Sequence, residues 1–207
     1  MTKTLLDDPG AIWVPHLGDS EPAGLAELEE WILDVDSRRY PQREWCAMVC
    51  IRVLQRGLGL TETTLPRLYF AAVSAGVYVE SRENENSPVT SVKGALHVEL
   101  TAFVGKTLER KVEYHELTLD GLTQHIDAGR LVVANVSGTI RTPDLHKPEK
   151  RNGHFVVVYG YEVTDGVAYI LYLDSTGLVK HGTHLGRTPA SRFECFFSGR
   201  AISVPVD

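Results

Sequence analysis

Cys46 stands where a polar, proline-containing segment, Pro41-Gln42-Arg43-Glu44, gives way to the apolar run that begins Trp45-Cys46-Ala47-Met48-Val49-Cys50. This pattern reads as a loop delivering a thiol to the first turn of a buried helix. Unpaired backbone N–H groups and the positive end of the helix dipole favour a thiolate there, and the thiolate is the nucleophilic form of cysteine. Such a sulfur carries out acyl chemistry when a base and an orienting group stand beside it. Eight histidines compete for the role of base. His154 is singled out because it follows Gly153 at the end of a polar loop and opens the apolar run Phe155-Val156-Val157-Val158. Its ring is therefore expected at a sheet edge beside solvent. Asp174 holds the mirror position, as the first polar residue after Tyr172-Leu173. A hairpin of these two runs carries an imidazole at one foot and a carboxylate at the other.

The register of that hairpin decides whether the two groups meet. With a loop over residues 162–166, so that Tyr161 faces Val167, His154 lies directly opposite Asp174. A tight two-residue turn at Asp165-Gly166 instead places them on opposite faces, because a one-residue slip inverts the side-chain pattern. The chemistry thus requires an odd-length loop or a bulge. In that register His154 gives one ring N–H to Asp174 and turns its other nitrogen to Cys46, in the order nucleophile, base and orienter.

Other uses of these residues are weaker. A buried cysteine in an apolar helix is ordinarily a small hydrophobe, and Cys50 and Cys195 are read that way. A histidine or aspartate at a strand end is ordinarily solvated; here the conjunction of all three positions carries the argument. For a metal, Cys46-x-x-x-Cys50 places two sulfurs on one helical face and His181-x-x-His184 lies in a glycine-rich loop, but the paired spacings of a structural zinc site are missing. There is no phosphate-binding Gly-Lys-Ser/Thr loop, no Gly-x-Gly-x-x-Gly and no Gly-x-Ser-x-Gly elbow, so nucleotide and serine-hydrolase readings have no foothold.

The elements that must position the three residues follow from periodicity. Residues 24–37 repeat Leu25, Leu28, Trp31, Ile32 and Val35 at helical spacing, with Glu27, Glu29, Glu30 and Asp34 on the other face, which predicts an amphipathic surface helix. Residues 46–56 are apolar on nearly every side, as a buried helix is, and Gly57 and Gly59 supply its stop. Further helices are expected at 62–75, 94–104 and 119–128, with a short strand at 111–115. Leu131 to Val136 reads as an apolar, β-branched strand. Residues 81–88 and 137–153 read as polar loops, the second a flap beside His154 that carries Lys147, Lys150 and Arg151. The strands 155–161 and 167–173 follow, and residues 192–204 read as one or two closing strands. Helices first and strands last predict an α+β fold, an antiparallel sheet packed against a buried helix.

The chain has 207 residues, 43% hydrophobic and 23% charged, which suits one globular domain with an extended arm over residues 1–23. A net charge of −6 with 21 dispersed basic residues argues against nucleic acid or an anionic membrane surface as partner. Three cysteines make no disulfide framework and fit a reducing, cytoplasmic setting. No stretch has the length and apolarity of a membrane span, and no signal peptide is found. The oligomeric state is not legible.

With these residues in place, the chain resembles papain-like cysteine peptidases of the double-glycine leader peptidase type, found in bacteriocin exporters and in stand-alone bacterial relatives. The resembling pieces are Gln42-Arg-Glu-Trp-Cys46-Ala-Met-Val, Gly129-Arg-Leu-Val-Val-Ala-Asn-Val136, and Gly153-His154-Phe-Val-Val-Val-Tyr-Gly160-Tyr161 running on to Tyr172-Leu-Asp174-Ser, over roughly residues 40–204. Two departures stand out: Ala47 follows the cysteine where the family commonly has glycine, and Gln42 stands four residues before Cys46 where the family's oxyanion glutamine usually stands six before. The resemblance implies a papain-like fold, a peptide or protein substrate, and attack of Cys46 on a peptide carbonyl. It also implies proton transfer through His154, oriented by Asp174, and oxyanion stabilisation by Gln42 and the Cys46 N–H. No metal or organic cofactor is implied. Opening of the thioester by an amine or thiol would make the same triad an acyltransferase or a peptide cyclase, and a non-catalytic binding module on this fold is a third reading.

Overall fold

The computed structural model describes residues 1–12, 45–81, 84, 91–95, 97–141, 153–175 and 185–207. The amphipathic helix expected at 24–37, Gln42, His181 and His184, most of the loop 81–88, and residues 142–152 of the expected flap lie outside the described residues.

The first described helix, α1 (Cys46–Gly57), is buried along ten successive positions. A helix without a polar face must place its polar side chains against polar neighbours, and Arg52 and Gln55 find theirs in the segment that follows. Arg52 Nε meets Glu62 Oε2 at 2.8 Å, and the Gln55 amide exchanges hydrogen bonds with Thr63, its Oε1 accepting from the Thr63 N–H at 3.1 Å. The helix stops where Gly59 takes a φ of +66°, a conformation open to glycine at little cost, and the Leu60 N–H turns back to the Gln55 carbonyl at 2.8 Å. Helices α2 (Leu65–Ser74), α3 (His97–Leu108) and α4 (Leu119–Asp127) follow the expected periodicity, with ends displaced by a few residues from those read in sequence. Thr118 caps α4, its hydroxyl oxygen accepting from the Gly121 N–H at 3.2 Å.

The strands are β1 (Thr2–Thr4), β2 (Val79–Ser81), β3 (Ser91–Lys93), β4 (Glu113–Glu116), β5 (Arg130–Ser137), β6 (Gly153–Thr164), β7 (Val167–Asp174), β8 (Leu185–Pro189) and β9 (Phe197–Pro205). Seven of them form one antiparallel sheet in the order β4-β9-β5-β6-β7-β8, with β1 pairing the outer half of β6; β2 and β3 form a separate hairpin. The tail differs from the expected run of strands, because residues 190–196 form a short helix, α5 (Ala190–Phe196), before β9. Phe193 and Phe196 are both fully buried there, three residues apart, which is helical spacing within a segment that reads loosely as alternation.

Both faces of the sheet are covered. Met48, Ile51 and Leu54 of α1, with Leu68 of α2 and Leu100 of α3, pack on Val133, Val157, Leu173 and Ile202. Leu122 and Ile126 of α4 and the two phenylalanines of α5 pack on Val132, Ala134, Val156 and Tyr172. Strands β5 and β6 therefore bury successive residues on alternate faces, which is why they read as continuous apolar runs rather than as alternation.

Candidate active site

Cys46 is the first residue of α1, as its position at a polar-to-apolar boundary predicts. The Val49 N–H bonds the Trp45 carbonyl at 2.9 Å, so the helical ladder begins at Trp45 and the N–H of Cys46 has no acceptor within the helix. His154 is the second residue of β6 and Asp174 the last of β7. The structure brings these two together: His154 Nε2 lies 3.1 Å from Asp174 Oδ1. All three side chains are enclosed, with Cys46 7% exposed, His154 2% and Asp174 0%.

The register that achieves this differs from a five-residue loop. Thr164 faces Val167 across a two-residue turn in which Asp165 and Gly166 have φ of +52° and +77°, as a type I′ turn requires. Such a turn alone would put His154 and Asp174 on opposite faces. A bulge corrects the parity. Val158 faces Tyr172 and Gly160 faces Leu171, so Tyr159 is an extra residue on β6 and every position before it changes face relative to β7. Asp174 consequently pairs with Val156, and His154 is its diagonal neighbour rather than directly opposite. Gly160 has a further role in the bulge. A Cβ there would collide with the carbonyl oxygen of Lys3 and stand 3.1 Å from Thr4 Cα, so only glycine lets β1 lie against β6.

Burial pushes the His154 proton affinity down, but hydrogen bonds to Asp174 and to Cys46, with the charges of both, more than offset this and raise its pKa from 6.5 to about 9. The imidazolium is therefore the form at neutral pH. Since Asp174 occupies Nε2, Nδ1 is the ring atom left for the sulfur. Cys50, one turn along α1, is driven the other way: burial, then the nearby Cys46 and Asp174, push its thiol well above the ordinary thiol range, which makes it a neutral and inert group. All three cysteines are free. Among the described residues no group of three or more His, Cys, Asp or Glu side chains is placed to hold a metal ion.

A wholly apolar reading of residues 131–136 passes over Asn135, which is buried and donates its side-chain N–H to the His154 carbonyl at 3.2 Å. A polar residue inside an apolar run was the signal for it.

A cysteine-led buried helix on an antiparallel sheet, with histidine and aspartate at the feet of one hairpin, is the architecture of papain-like cysteine peptidases. Comparison with solved structures finds that fold. The peptidase domain of Streptococcus ComA, a bi-functional ABC transporter involved in a quorum-sensing pathway, superposes with a TM-score of 0.51 at 17% identity, over 80% of this chain and 94% of that one. A putative C39-like peptidase from Bacillus anthracis gives 0.54 at 18% identity, over 78% of this chain and 88% of that one. Digestive procathepsin L 3 from the larval midgut of Tenebrio molitor gives 0.53 at 13% identity, over 94% of this chain and 74% of that one. No protein-family model matches the sequence, and neither does any curated protein. The chain thus has the papain-like peptidase fold, with C39-type peptidase domains among its structural neighbours.

Proposed function

We propose that this protein is a cysteine peptidase that cleaves a peptide bond through Cys46, His154 and Asp174. The observation that carries the reading is the buried His154–Asp174 pair, 3.1 Å apart, beside the buried cysteine that opens α1 and whose presence helps raise the His154 pKa. The Cys46 thiolate attacks the carbonyl carbon, and the developing oxyanion takes the Cys46 N–H and, from outside the described residues, Gln42. The collapsing intermediate expels the amine, which takes its proton from the His154 imidazolium. Water, deprotonated by the now neutral imidazole, then opens the thioester and frees the thiol. Asp174 holds the ring through Nε2 so that Nδ1 faces the sulfur. Substrates are peptides or proteins, and the free thiols suit a reducing cytoplasm; among the described residues no helix is long and apolar enough to cross a membrane.

The test is incubation of the pure protein with a peptide library, followed by mass spectrometry. Hydrolysis appears as a gain of water across the cleaved bond, and Cys46→Ala is expected to abolish it while the chain stays folded. Products formed by loss of a leaving group without gain of water would assign the same triad to acyl transfer or cyclisation. Iodoacetamide alkylation of Cys46 no faster than that of a free thiol would remove the catalytic reading and leave a binding module.

A further inference from the structure

His154 lies at the very start of β6, where Gly153 enters at a φ of +99° and a strand's ladder is least constrained. Side chains from both sides hold this point. From β5, Asn135 Nδ2 donates to the His154 carbonyl oxygen at 3.2 Å. From the end of β7, Ser175, buried and next to Asp174, donates its hydroxyl to the Phe155 carbonyl oxygen at 3.4 Å. Asn135 stands where β9 steps out of the β5 ladder: Ala134 faces Ala201 and Val136 faces Phe197, so residues 198–200 span the stretch opposite it. Its own Oδ1 is buried without a hydrogen-bond partner among the described residues.

We propose that Asn135 and Ser175 are positioning residues which, by holding two consecutive carbonyls, set the height of the His154 ring between Cys46 and Asp174; the proposal rests on the triad reading above. A residue placed only for folding would not look like Asn135. An apolar side chain fills a site in an apolar strand without leaving a buried acceptor unsatisfied, so the amide costs stability on one atom while serving the His154 backbone with the other. Folding and catalysis are then expected to respond differently to its removal.

Asn135→Leu and Ser175→Ala, beside wild type and Cys46→Ala, test this through thermal midpoint, kcat and KM on a peptide that wild type cleaves, and the pH profile of iodoacetamide alkylation of Cys46. Asn135→Leu is expected to keep or raise the midpoint, lower kcat by about ten- to a hundredfold with KM little changed, and slow alkylation at pH 6. Ser175→Ala is expected to do the same to a smaller degree. Wild-type kcat and wild-type alkylation profiles in folded variants overturn the proposal. So does a loss of rate that merely follows the folded fraction. Should Asn135→Leu fail to fold, Ser175→Ala decides alone, and wild-type kinetics in it overturn the proposal. Slow alkylation of wild type itself would instead fell the triad reading, and this proposal with it.

Discussion

Replacing Asp174 by asparagine keeps an oxygen able to accept from His154 Nε2 and removes only the charge. His154 holds its proton to about 9 in the folded protein against an ordinary 6.5, which corresponds to about 3 kcal/mol in favour of the imidazolium. Burial opposes that preference, and the hydrogen bonds and charges of Asp174 and Cys46 create it. With the carboxylate gone the opposing burial remains, so the ring in Asp174→Asn is expected to lose its proton about 1 to 2 pH units lower. The direct assay is NMR titration of the histidine ring resonances between pH 5 and 10.5, with His154 assigned through His154→Gln. Stability moves with the same proton. Between pH 6.5 and about 9 the native state keeps a proton that the unfolded chain has released. The contribution is therefore fully present below pH 6.5 and is lost as pH rises toward about 9. Urea unfolding at pH 6.5 and 9.5 should show wild type losing up to about 3 kcal/mol from this group, and Asp174→Asn losing less. A His154 that titrates near 6.5 in wild type, or one whose titration Asp174→Asn leaves in place, refutes the reasoning.

Cys50→Ala should leave peptide cleavage within a few-fold of wild type while costing about 1–2 kcal/mol of stability for the lost buried sulfur, which kinetics and denaturant titration measure together; loss of activity would mean that the wrong cysteine has been named. Gly160→Ala should destabilise by about 1–3 kcal/mol and release β1, read as faster hydrogen exchange at the Leu5 N–H, which bonds the Tyr159 carbonyl at 2.9 Å. Unchanged exchange there would contradict the close approach. Burial works against a charged Glu62, but hydrogen bonds from Arg56 and Arg52 outweigh it and hold the carboxyl below its usual range. Glu62→Gln should therefore destabilise the chain at pH 7, by a difference that shrinks as pH falls and wild-type Glu62 takes up its proton. Urea midpoints at pH 7 and pH 3.5 check this.

The three proposed catalytic residues were legible because each sits at a boundary between polar and apolar sequence, and such boundaries mark where an element begins or ends; the sequence did not show that all three are buried, His154 included, where a ring beside solvent was expected. Cys46 begins a run that becomes a helix, His154 begins one that becomes a strand, and Asp174 ends another. The helices were legible to within a few residues for the same reason, since periodicity fixes the buried face better than it fixes the end. What periodicity could not give was tertiary choice. Thr2–Thr4 has no apolar signature and is a strand only because the outer half of β6 offers an open ladder beyond the start of β5. Residues 190–196 alternate weakly enough to pass for a strand, and burial of two phenylalanines against the sheet settles them as helix.

The hairpin shows how a local rule and a functional requirement can both hold. Asp165-Gly166 is a strong signal for a two-residue turn, and the turn forms. Taken alone it would separate His154 from Asp174, whereas the chemistry requires them on one face. One extra residue reconciles the two, and it must lie between the turn and the site, because a bulge beyond His154 would change nothing at the pair. Tyr159 meets that condition, and the glycine beside it, in a strand of otherwise bulky residues, is the mark by which sequence announces a bulge. The same glycine admits β1, so the bulge that sets the His154–Asp174 register also lies where the amino terminus joins the sheet. Deleting Tyr159 would remove the bulge yet leave Val156 opposite Asp174, so His154 is expected to stay on the face of Asp174. Deleting Val157 with the turn and the bulge kept would instead bring Phe155 opposite Asp174 and is the change expected to turn His154 to the other face, read by NMR as loss of its raised titration.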